Sequence, residues 1–333
     1  MTEEFLTDTG RVRPRRLRRG RALRDLVAET RVSASQLIMP HFVLAADKGE
    51  EPLPSMPGIS RYGIENLVRV VETDLGLGIR TVLLFGVPTA GTKDATGSPS
   101  RDAQGTVPRA VRALKKAMGN DIVVVTDVCL CAYTDHGHCG ILVNGTVEND
   151  RSLAPITAMA VAHAEAGADL VGPSDMMDGR VAAIRDGLDE AGLPDTGIMS
   201  YAVKYASAYY GPFRDAADSS PQHGDRRSYQ MDLRNGAEAE REAMLDESEG
   251  ADILMVKPAM AYLDVIRRVK EVSTLPLAAY NVSGEYSMVK AAAANGWVDE
   301  ALVVRENLHA IARAGADIII SYHSREALKG KWL

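Results

Sequence analysis

The sequence predicts an α/β protein, a single (β/α)8 TIM barrel that follows an extended basic N-terminal arm. Three observations support this fold: eight apolar, β-branched runs, helix-period segments between them, and a near-repeat of Ala-Gly-Ala-Asp where a helix gives way to a strand. Near-continuous apolar runs are typical of parallel strands covered on both faces, and eight alternating units in about 290 residues fit a closed barrel. A doubly wound open sheet is the alternative, but no Gly-rich dinucleotide fingerprint follows any strand.

The predicted elements follow in a regular order along the chain. Helical periodicity is clearest at 156–167, 237–250 and 299–315. Near its end each of these segments has a glycine, which we expect to cap the helix in a left-handed conformation before the next strand. We therefore predict an arm over residues 1–34 that makes oligomer contacts and one catalytic domain over 35–333. The predicted strands are QLIMPHFV (36–43), TVLLFGV (81–87), DIVVVTDV (121–128), DLVGPS (169–174), GIMSYAVKY (197–205), DILMVKP (252–258), LPLAAYNVS (275–283) and DIIISYHS (317–324).

The composition is that of a globular protein rather than a fibrous or membrane protein. Of 333 residues, 46% are hydrophobic and 25% are charged, which is enough for a large core. No run approaches the roughly 20 apolar residues of a membrane span, and the N-terminus lacks the apolar stretch of a secretory signal. We therefore expect a cytoplasmic protein. All three cysteines fall between positions 129 and 139, and in a reducing compartment this clustering favours a metal site or a reactive thiol.

The N-terminal arm is strongly basic, although the whole chain carries a net charge of −7. One interpretation is contact with nucleic-acid phosphates. We favour packing against an acidic surface of the same chain or of a neighbouring subunit, because no recognisable nucleic-acid module follows the arm. The basic residues are Arg11, Arg13, Arg15, Arg16, Arg18, Arg19, Arg21 and Arg24.

Two lysines occupy matching places at the ends of consecutive predicted strands. Lys204 is in the last part of the fifth run and Lys257 is in the last part of the sixth. In a parallel barrel both would lie at the carboxyl end of the strands, where each ammonium depresses the pKa of the other. One amine would then be neutral near pH 7 and able to form a Schiff base with a carbonyl substrate. A single strand-end lysine is usually solvated or salt-bridged, but two on neighbouring strands favour carbonyl chemistry.

All three cysteines lie in the segment that follows the third predicted strand. Cys129 and Cys131 are expected to converge because alternate residues at a strand end point the same way, and a glycine-containing turn returns Cys139. Three thiolates make a zinc site with an open fourth position for water or a substrate oxygen. Three unrelated buried thiols are the alternative. Whether His136 or His138 ligates the metal or shuttles protons stays open.

The segment 206–230 is long for a compact barrel, and we predict that it forms a lid over the active site. Its aromatic residues would exclude water and protect an imine from hydrolysis, and its arginines offer planar forks for a carboxylate. A solvated surface loop is the alternative. The aromatic residues are Tyr209, Tyr210 and Phe213, and the arginines are Arg214, Arg226 and Arg227.

Other polar side chains also gather at the predicted carboxyl ends of the strands. Asp127 is at the end of the third strand, and Ser174 and Asp175 are at the end of the fourth. Ser283 ends the seventh strand, and Tyr322 lies near the end of the eighth. These last two are either ordinary hydrogen-bonded strand ends or a pair of hydroxyl donors for a second carboxylate. Random scatter would not place all five on one face of a barrel.

Longer stretches of the chain resemble one enzyme family. The matching stretches are DVCLCAYTDHGHCG, VGPSDMMDGRV, KYASAYYGPFRDAA, GDRRSYQ, GADILMVKPAMAYLD, VSGEY and AGADIIISY, and RPRRLRR (13–19) resembles the family's arm. On these residues the chain resembles the 5-aminolevulinate dehydratases, also called porphobilinogen synthases. The resemblance runs from about the second strand to the eighth.

The resemblance implies a hydro-lyase that condenses two 5-aminolevulinate molecules to porphobilinogen, with loss of two waters, in tetrapyrrole (haem) biosynthesis. It implies that Lys257 binds the propionate-side substrate as a Schiff base, and that Lys204 binds the acetate-side substrate covalently or as a charged neighbour. The implied acetate-side carboxylate contacts are Arg214, Arg226 and Gln230, and the implied propionate-side contacts are Ser283 and Tyr322. The remaining implied contacts are Asp127, Ser174, Asp175, Tyr210 and Phe213.

The resemblance also implies metals and an oligomer. Family members with three cysteines use catalytic Zn²⁺, so Cys129, Cys131 and Cys139 are the predicted ligands. Family members also hold an allosteric or structural Mg²⁺ through a glutamate in the helix before the MVKPA strand, which Glu242 matches. The other acidic residues of that helix equally suit a solvated face. The arm would wrap a neighbouring subunit in a homo-oligomer, an octamer or a smaller assembly.

Two other functions remain as alternatives. A single-lysine Schiff-base aldolase of the class I type explains the barrel and Lys257, but it leaves Lys204, the cysteines and two carboxylate sites without a role. A non-catalytic protein that binds nucleic acid through its arm would show an affinity that falls steeply with salt.

Overall fold

The computed structural model describes residues 12–89 and 91–333. The chain divides into two compact units, Met1–Arg31 and Val32–Leu333. The described part of the first unit contains a 3-10 helix, Pro14–Arg18, and helix α1, Arg21–Leu26. Arg11, one of the predicted basic residues, lies outside the described residues. The predicted oligomer contacts of the arm and the predicted catalytic role of the barrel stay predictions.

The second unit is a closed barrel of eight parallel strands, which confirms the predicted fold. Each strand pairs with the next along the chain, and the last strand pairs with the first, with Leu37 opposite Ile319. Every predicted strand is present, and its bounds differ from the prediction by a few residues at most. The strands are β1 Leu37–Leu44, β2 Thr81–Val87, β3 Val123–Val128, β4 Leu170–Pro173, β5 Gly197–Lys204, β6 Ile253–Lys257, β7 Leu277–Asn281 and β8 Ile318–Ser321.

Helices lie between the strands and cover the outside of the barrel. Two short antiparallel hairpins are inserted: Glu50–Pro52 with Ser60–Tyr62 after β1, and Ile141–Val143 with Thr146–Glu148 after the cysteines. The helices of this unit are α2 Ile64–Gly76, α3 Thr106–Met118, α4 Asn149–Glu165, α5 Arg180–Glu190, α6 Gly211–Ala216, α7 Glu238–Ser248, α8 Leu263–Val272, α9 Ser283–Ala294, α10 Glu300–Ala314 and α11 Ser324–Lys329. Among the described residues, no helix is both long and apolar enough to cross a bilayer.

The repeated Ala-Gly-Ala-Asp junction hydrogen-bonds neighbouring strands to each other at their amino ends. Its glycines Gly167, Gly250 and Gly315 have the positive φ that we expected at a helix end. Each aspartate that follows accepts a backbone N–H from the preceding strand: Asp169 from Val124, Asp252 from Ile198 and Asp317 from Leu277, at 2.7, 2.7 and 2.9 Å. The repeat therefore stabilises the end of the barrel that lies away from the predicted active site.

The barrel interior is filled by alternate residues of the strands, as the pleat of a β-strand requires. One buried cluster takes Met199 and Tyr201 from β5 and alternate residues from most of the other strands, whereas Ala202 and Val203 both pack in the outer cluster. Two consecutive outward residues are possible because β5 contains a bulge: Leu254 pairs with Ser200, but Val256 pairs with Val203. The bulge shifts the alternation by one residue, so that Lys204 turns back to the barrel interior.

Candidate active site

The two predicted lysines lie side by side at the mouth of the barrel, the end formed by the carboxyl ends of the strands. Lys204 is the last residue of β5, Lys257 is the last residue of β6, and the two pair directly in register. Each is 5% exposed. The Lys204 Nζ donates a hydrogen bond to the Ser174 carbonyl at the end of β4. The predicted convergence of the two amines is thus present in the structure.

Aromatic rings surround the amine of Lys257. Its Nζ lies 4.4 Å from the ring centroid of Tyr280, 5.1 Å from those of Tyr201 and Phe213, and 5.3 Å from that of Tyr210. Burial and the neighbouring Lys204 ammonium lower the pKa of Lys257 to about 7, against the opposing charge of Asp127. A substantial fraction of this amine is therefore neutral, and nucleophilic, at neutral pH.

Two carboxyl groups at the carboxyl ends of β3 and β4 have raised pKa values. Asp127, the penultimate residue of β3, has its pKa raised by burial, although Lys257 and Lys204 act in the opposite direction. Burial raises the pKa of Asp175 to about 6 against the effect of Arg180, and its Oδ1 accepts the Met177 N–H at 2.8 Å. Carboxyl groups that titrate nearer to neutral pH are suited to proton transfer.

The three cysteines converge, but not for the reason that the sequence suggested. β3 ends at Val128, Cys129 is extended, and Cys131 lies in a 3-10 turn, Leu130–Ala132, so turn geometry rather than strand alternation brings their sulfurs together. The three Sγ atoms lie within 4.8 Å of one another, and all three residues are buried. Hydrogen bonds from the Cys129 and Cys131 thiols lower the pKa of Cys139, so this sulfur ionises first. A narrow cavity joins Cys129 and Cys131 to Asp127 and to Phe213 of the lid.

Both histidines of the cysteine loop have partners at each ring nitrogen. His138 Nε2 donates to the carbonyl of His223 at 2.9 Å, and its Nδ1 is 3.2 Å from the Tyr229 hydroxyl. His136 Nδ1 accepts the His138 backbone N–H at 3.1 Å, and its Nε2 is 3.3 Å from the Ala95 carbonyl. In this arrangement His138 joins the cysteine loop to the segment 206–230.

The segment 206–230 closes the mouth above the lysines. It begins with a 3-10 turn, Ala208–Tyr210, that leads directly into α6. The Tyr210 hydroxyl donates to the carbonyls of Tyr205 and Lys257 at 2.8 and 3.2 Å, and Phe213 meets Phe85 edge to face at 4.9 Å. These contacts place two of the three predicted aromatic residues directly over Lys257, with Tyr209 half-buried beside them.

The predicted acetate-side residues divide into buried and exposed groups. Arg226 is 6% exposed and donates through Nη2 to the Gly137 carbonyl at 2.9 Å, whereas the neighbouring Arg227 is exposed and lies near Asp225. In the part of the chain that the structure describes, the buried Nε atoms of Arg214 and Arg226 and both amide atoms of Gln230 have no hydrogen-bond partner. Unpaired buried donors are costly unless a ligand satisfies them.

The two predicted hydroxyl donors differ in their setting from the sequence prediction. Ser283 does not end β7, which stops at Asn281; it begins α9, and its Oγ accepts the Phe213 N–H at 3.0 Å. Tyr322 follows β8 by one residue, and its hydroxyl is 3.0 Å from that of Tyr280. Both residues are 1% exposed at the mouth of the barrel.

Comparison of the chain with known proteins identifies its family. The profile of the family described as Delta-aminolevulinic acid dehydratase matches residues 11–330. The chain belongs to this family. A delta-aminolevulinic acid dehydratase from Synechococcus elongatus is 52% identical over 325 residues, covering 96% of this chain and 98% of the relative. One from Methanothermobacter thermautotrophicus is 55% identical over 319 residues, covering 95% and 96%.

A solved structure of the same family has the same fold. It is the delta-aminolevulinic acid dehydratase (porphobilinogen synthase) from Toxoplasma gondii in complex with the reaction product porphobilinogen. The two chains superpose with a TM-score of 0.94 at 47% identity, covering 96% of this chain and 91% of the other. The family that the sequence resembles, and the dehydratase (lyase) class of enzyme, are thereby confirmed.

Glu242, the predicted magnesium ligand, is not among the residues that surround the two lysines. It is in α7 and lines a surface cavity of about 400 Å³ together with Asp178, Glu238 and Gln230. Burial, followed by the nearby carboxylate of Asp246, raises the pKa of Glu242. A cation bound in the cavity would relieve this repulsion between carboxylates.

Sequence reasoning missed part of the dehydratase site. Tyr201 and Tyr280 were not predicted, although strand alternation carries the signal: Ala278 and Tyr280 share the inward face of β7, as Met199 and Tyr201 share that of β5. Glu285 was also missed. Its position in the first turn of α9 resembles an ordinary helix cap, and only the tertiary structure shows what else it contacts.

Proposed function

We propose that this dehydratase condenses two 5-aminolevulinate molecules to porphobilinogen with loss of two waters, through a Schiff base on Lys257. The observation that supports this mechanism is the pair of lysines that lie opposite each other on β5 and β6. Lys257 lies among four aromatic rings, and its pKa is lowered to about 7. The product is a pyrrole of the tetrapyrrole (haem) pathway. Within the fold, the active site is the mouth of the barrel between the lysines, the cysteines and the lid.

The first substrate forms a covalent bond with Lys257. The neutral amine attacks the C4 ketone to form a carbinolamine, and loss of water leaves an imine. Asp127 lies in electrostatic contact with Lys257 and, with its raised pKa, exchanges the protons of these steps. The hydroxyls of Ser283 and Tyr322 bind the propionate carboxylate, and the rings of Tyr210 and Phe213 keep bulk water from the imine.

The second substrate binds on the Lys204 side of the mouth. The unpaired N–H donors of Arg214, Arg226 and Gln230 receive its acetate-side carboxylate. The Lys204 ammonium stabilises negative charge that develops when a proton beside its carbonyl is removed. Ser174, which already accepts from Lys204, and Asp175 hold the substrate amine. Two further bonds close the ring: a carbon–carbon bond to the imine carbon, and a carbon–nitrogen bond from the substrate amine to the remaining carbonyl, which loses the second water. Cleavage of the bond between Lys257 Nζ and the former imine carbon releases the enzyme, and loss of a ring proton gives the pyrrole.

We further propose that the cysteine cluster binds zinc. Three buried sulfur donors within 4.8 Å of one another suit Zn²⁺, whereas Mg²⁺ prefers oxygen ligands. Cys139 ionises first, and metal binding would bring off the remaining thiol protons. Zinc bound by Cys129, Cys131 and Cys139 would supply a Lewis acid next to the second substrate. This assignment places the chain with the zinc-dependent type of the family.

A second, magnesium site is proposed at Glu242. The carboxylates of Glu242, Asp178 and Glu238 line one cavity, and oxygen ligands of this kind suit Mg²⁺. Glu242→Gln should abolish any stimulation of the rate by added Mg²⁺ while leaving the zinc content unchanged. A stimulation that persists in this variant would remove Glu242 from the role.

We propose a homo-oligomer, such as an octamer, that forms in the cytoplasm through the basic arm. The charge of the arm supports this role, since its arginines would complement the acidic surface of a chain with a net charge of −7. Deleting residues 1–24 should lower the mass of the assembly in light scattering while Lys257 still reacts with substrate. An unchanged mass would show that the arm has another function.

The main test is porphobilinogen formation from 5-aminolevulinate, with and without a zinc-selective chelator. Product that disappears on chelation and returns with zinc supports the reaction and the cysteine site together. Product that is insensitive to the chelator keeps the reaction but removes zinc from the cysteines. No product with any metal would favour the single-lysine aldolase.

The role of Lys257 is tested separately by borohydride trapping and mass spectrometry. Lys257→Met should abolish the substrate adduct, whereas Lys116→Met, which removes an exposed lysine of α3, should leave it at full yield. Full trapping in Lys257→Met would move the Schiff base to another amine.

A further inference from the structure

A buried hydrogen-bond network joins the carboxyl ends of β6, β7 and β8. Its centre is Glu285, which lies in the first turn of α9 and is 6% exposed. Glu285 Oε1 accepts the backbone N–H of Met260 at 2.7 Å. Its Oε2 accepts the backbone N–H of Val282 at 2.7 Å and the side-chain amide of Asn281 at 3.2 Å. Glu285 therefore holds the loop after β6 against the end of β7.

The network continues from β7 to β8. Asn281 and Ser321 are the last residues of their strands and pair in register. The Asn281 Oδ1 accepts a hydrogen bond from the Ser321 hydroxyl at 2.9 Å, and the Ser321 Oγ accepts the His323 N–H at 3.2 Å. Both side chains are almost fully buried, so no water competes for these bonds.

The amine and the two hydroxyls proposed to bind the first substrate are each close in sequence to a member of this network. Met260 follows Lys257 by three positions in the same loop, Ser283 lies between Val282 and Glu285, and Tyr322 directly follows Ser321. The network thus fixes the three loops that carry the amine and the two hydroxyls relative to one another.

These contacts exceed what a helix cap requires. The cap of α9 accounts for only one of these bonds, the one that the N–H of Val282, the N-cap residue, donates to the Glu285 carboxylate. The bond to Met260 and the Asn281–Ser321 link leave the helix and reach two other strand ends. They therefore constrain the mouth of the barrel as well as the start of α9.

We propose that Glu285, acting through Asn281 and Ser321, is a positioning residue that sets the spacing between the Lys257 amine and the carboxylate contacts Ser283 and Tyr322. This inference rests on the proposed Schiff-base function. A molecule with a ketone and a carboxylate must meet both groups at once, and a displacement of about 1 Å between them can slow reaction by up to about a hundredfold.

The test compares borohydride trapping of two ketones at Lys257. Levulinate has the ketone and carboxylate of 5-aminolevulinate but no amine, and 2-pentanone has the same ketone with a methyl group in place of the carboxylate. Each ketone loses water to form an imine with the amine, and borohydride supplies the hydride that reduces the imine to a stable secondary amine. The ratio of the levulinate rate to the 2-pentanone rate measures how well the Lys257 amine and the carboxylate contacts are spaced to bind the ketone and the carboxylate of one molecule.

Glu285→Gln should lower the levulinate-to-pentanone ratio by about tenfold or more, because its amide nitrogen would face a backbone donor and displace one loop. Ser321→Ala, a smaller change that removes the hydroxyl bonded to Asn281 and to the His323 N–H, should lower the ratio in the same direction. The matched control is Asp299→Asn, which alters the cap of α10, where Asp299 accepts the Leu302 N–H at 2.9 Å. This control should keep the wild-type ratio.

The outcomes separate the positioning role from the proposed function. If the wild-type enzyme prefers levulinate and both variants keep that preference, or lose both reactions equally, Glu285 only stabilises the fold and the inference is overturned. If the wild-type enzyme traps neither ketone at Lys257, the Schiff-base function fails and the inference fails with it. A lower levulinate-to-pentanone ratio in both variants, together with an unchanged ratio in Asp299→Asn, supports the positioning role.

Discussion

At the scale of single residues, the proposed Schiff-base chemistry depends on how Lys204 lowers the pKa of Lys257. Desolvation alone lowers the pKa of a buried lysine, and a second ammonium in register lowers it further. The four aromatic rings contribute apolar walls and face the Lys257 Nζ at 4.4–5.3 Å. Their favourable interaction with a cation works against deprotonation, so burial and Lys204 together must outweigh it.

The rate of Schiff-base formation should therefore follow the titration of Lys257. The neutral fraction of an amine rises with pH through its pKa, so trapping of levulinate should rise through a midpoint near pH 7 and level off at higher pH. Lys204→Met removes the neighbouring charge and should move this rise upward by about one pH unit. The measurement is the initial trapping rate against pH.

Lys204→Arg is the matched control for charge. Because arginine keeps the positive charge beside Lys257, the midpoint of the pH profile should stay near that of the wild-type enzyme. An unchanged midpoint in Lys204→Met would show that desolvation alone sets the pKa of Lys257.

At the scale of elements, the lid and the cysteine loop form one hydrogen-bonded layer. His138 bonds to the carbonyl of His223 and to the Tyr229 hydroxyl, which in turn accepts the Cys139 N–H at 3.4 Å. Arg226 of the lid donates to the Gly137 carbonyl. The loop of the three cysteines and the segment over the barrel mouth are thereby held in a single arrangement.

Tyr229→Phe should loosen this layer without removing a charged group. The variant loses the hydroxyl that joins His138 to Cys139, so we expect faster amide hydrogen exchange over 219–230 and a fall in activity of about threefold to tenfold. Hydrogen exchange with mass spectrometry and the rate of porphobilinogen formation provide the two measurements.

Tyr209→Phe is the control on the same segment. The Tyr209 hydroxyl has no hydrogen-bond partner in the described chain, so this variant should match the wild-type enzyme in exchange over 219–230. Equal exchange in Tyr229→Phe and the wild-type enzyme would mean that other contacts hold the lid.

At the scale of the whole molecule, an ion pair between the buried Asp74 and Arg325, with His41 beside it, holds together the region where the barrel closes. Asp74 of α2 accepts Nε and Nη2 of Arg325 in α11 at 2.5 and 2.8 Å and lies 3.2 Å from His41 Nε2 in β1. Burial alone would raise the pKa of Asp74, but the hydrogen bonds from Arg325 and His41 hold it below its usual value. Its contribution to stability is therefore present at neutral pH and lost as the pH falls through this lowered pKa.

Arg325→Leu should lower the free energy of unfolding by about 3–5 kcal/mol near neutral pH, because it leaves Asp74 buried without its main partner. The unpaired Asp74 then has a raised pKa, so the deficit should shrink toward about pH 5 as the carboxyl takes up a proton. Urea unfolding at the two pH values measures this difference.

The control for Arg325→Leu is Arg268→Leu, which removes an exposed ion pair with Glu240 and should cost about 0.2–1 kcal/mol at either pH. A deficit in Arg325→Leu that does not change with pH would mean that lost packing, rather than the Asp74 charge, causes it.

The sequence by itself determined the barrel, the two strand-end lysines, the cysteine cluster and the family of this protein. It could do so because apolar runs, capping glycines and a lysine at the end of a run are local patterns, and strands and helices require such patterns in the sequence. The tertiary structure alone decided which way these residues face. A one-residue bulge in β5 turns Lys204 inward, a 3-10 turn brings the cysteines together, and Glu285 accepts a hydrogen bond from Met260 in the loop after β6. Contacts of this kind depend on register and on chain segments far apart in sequence, which no local pattern encodes.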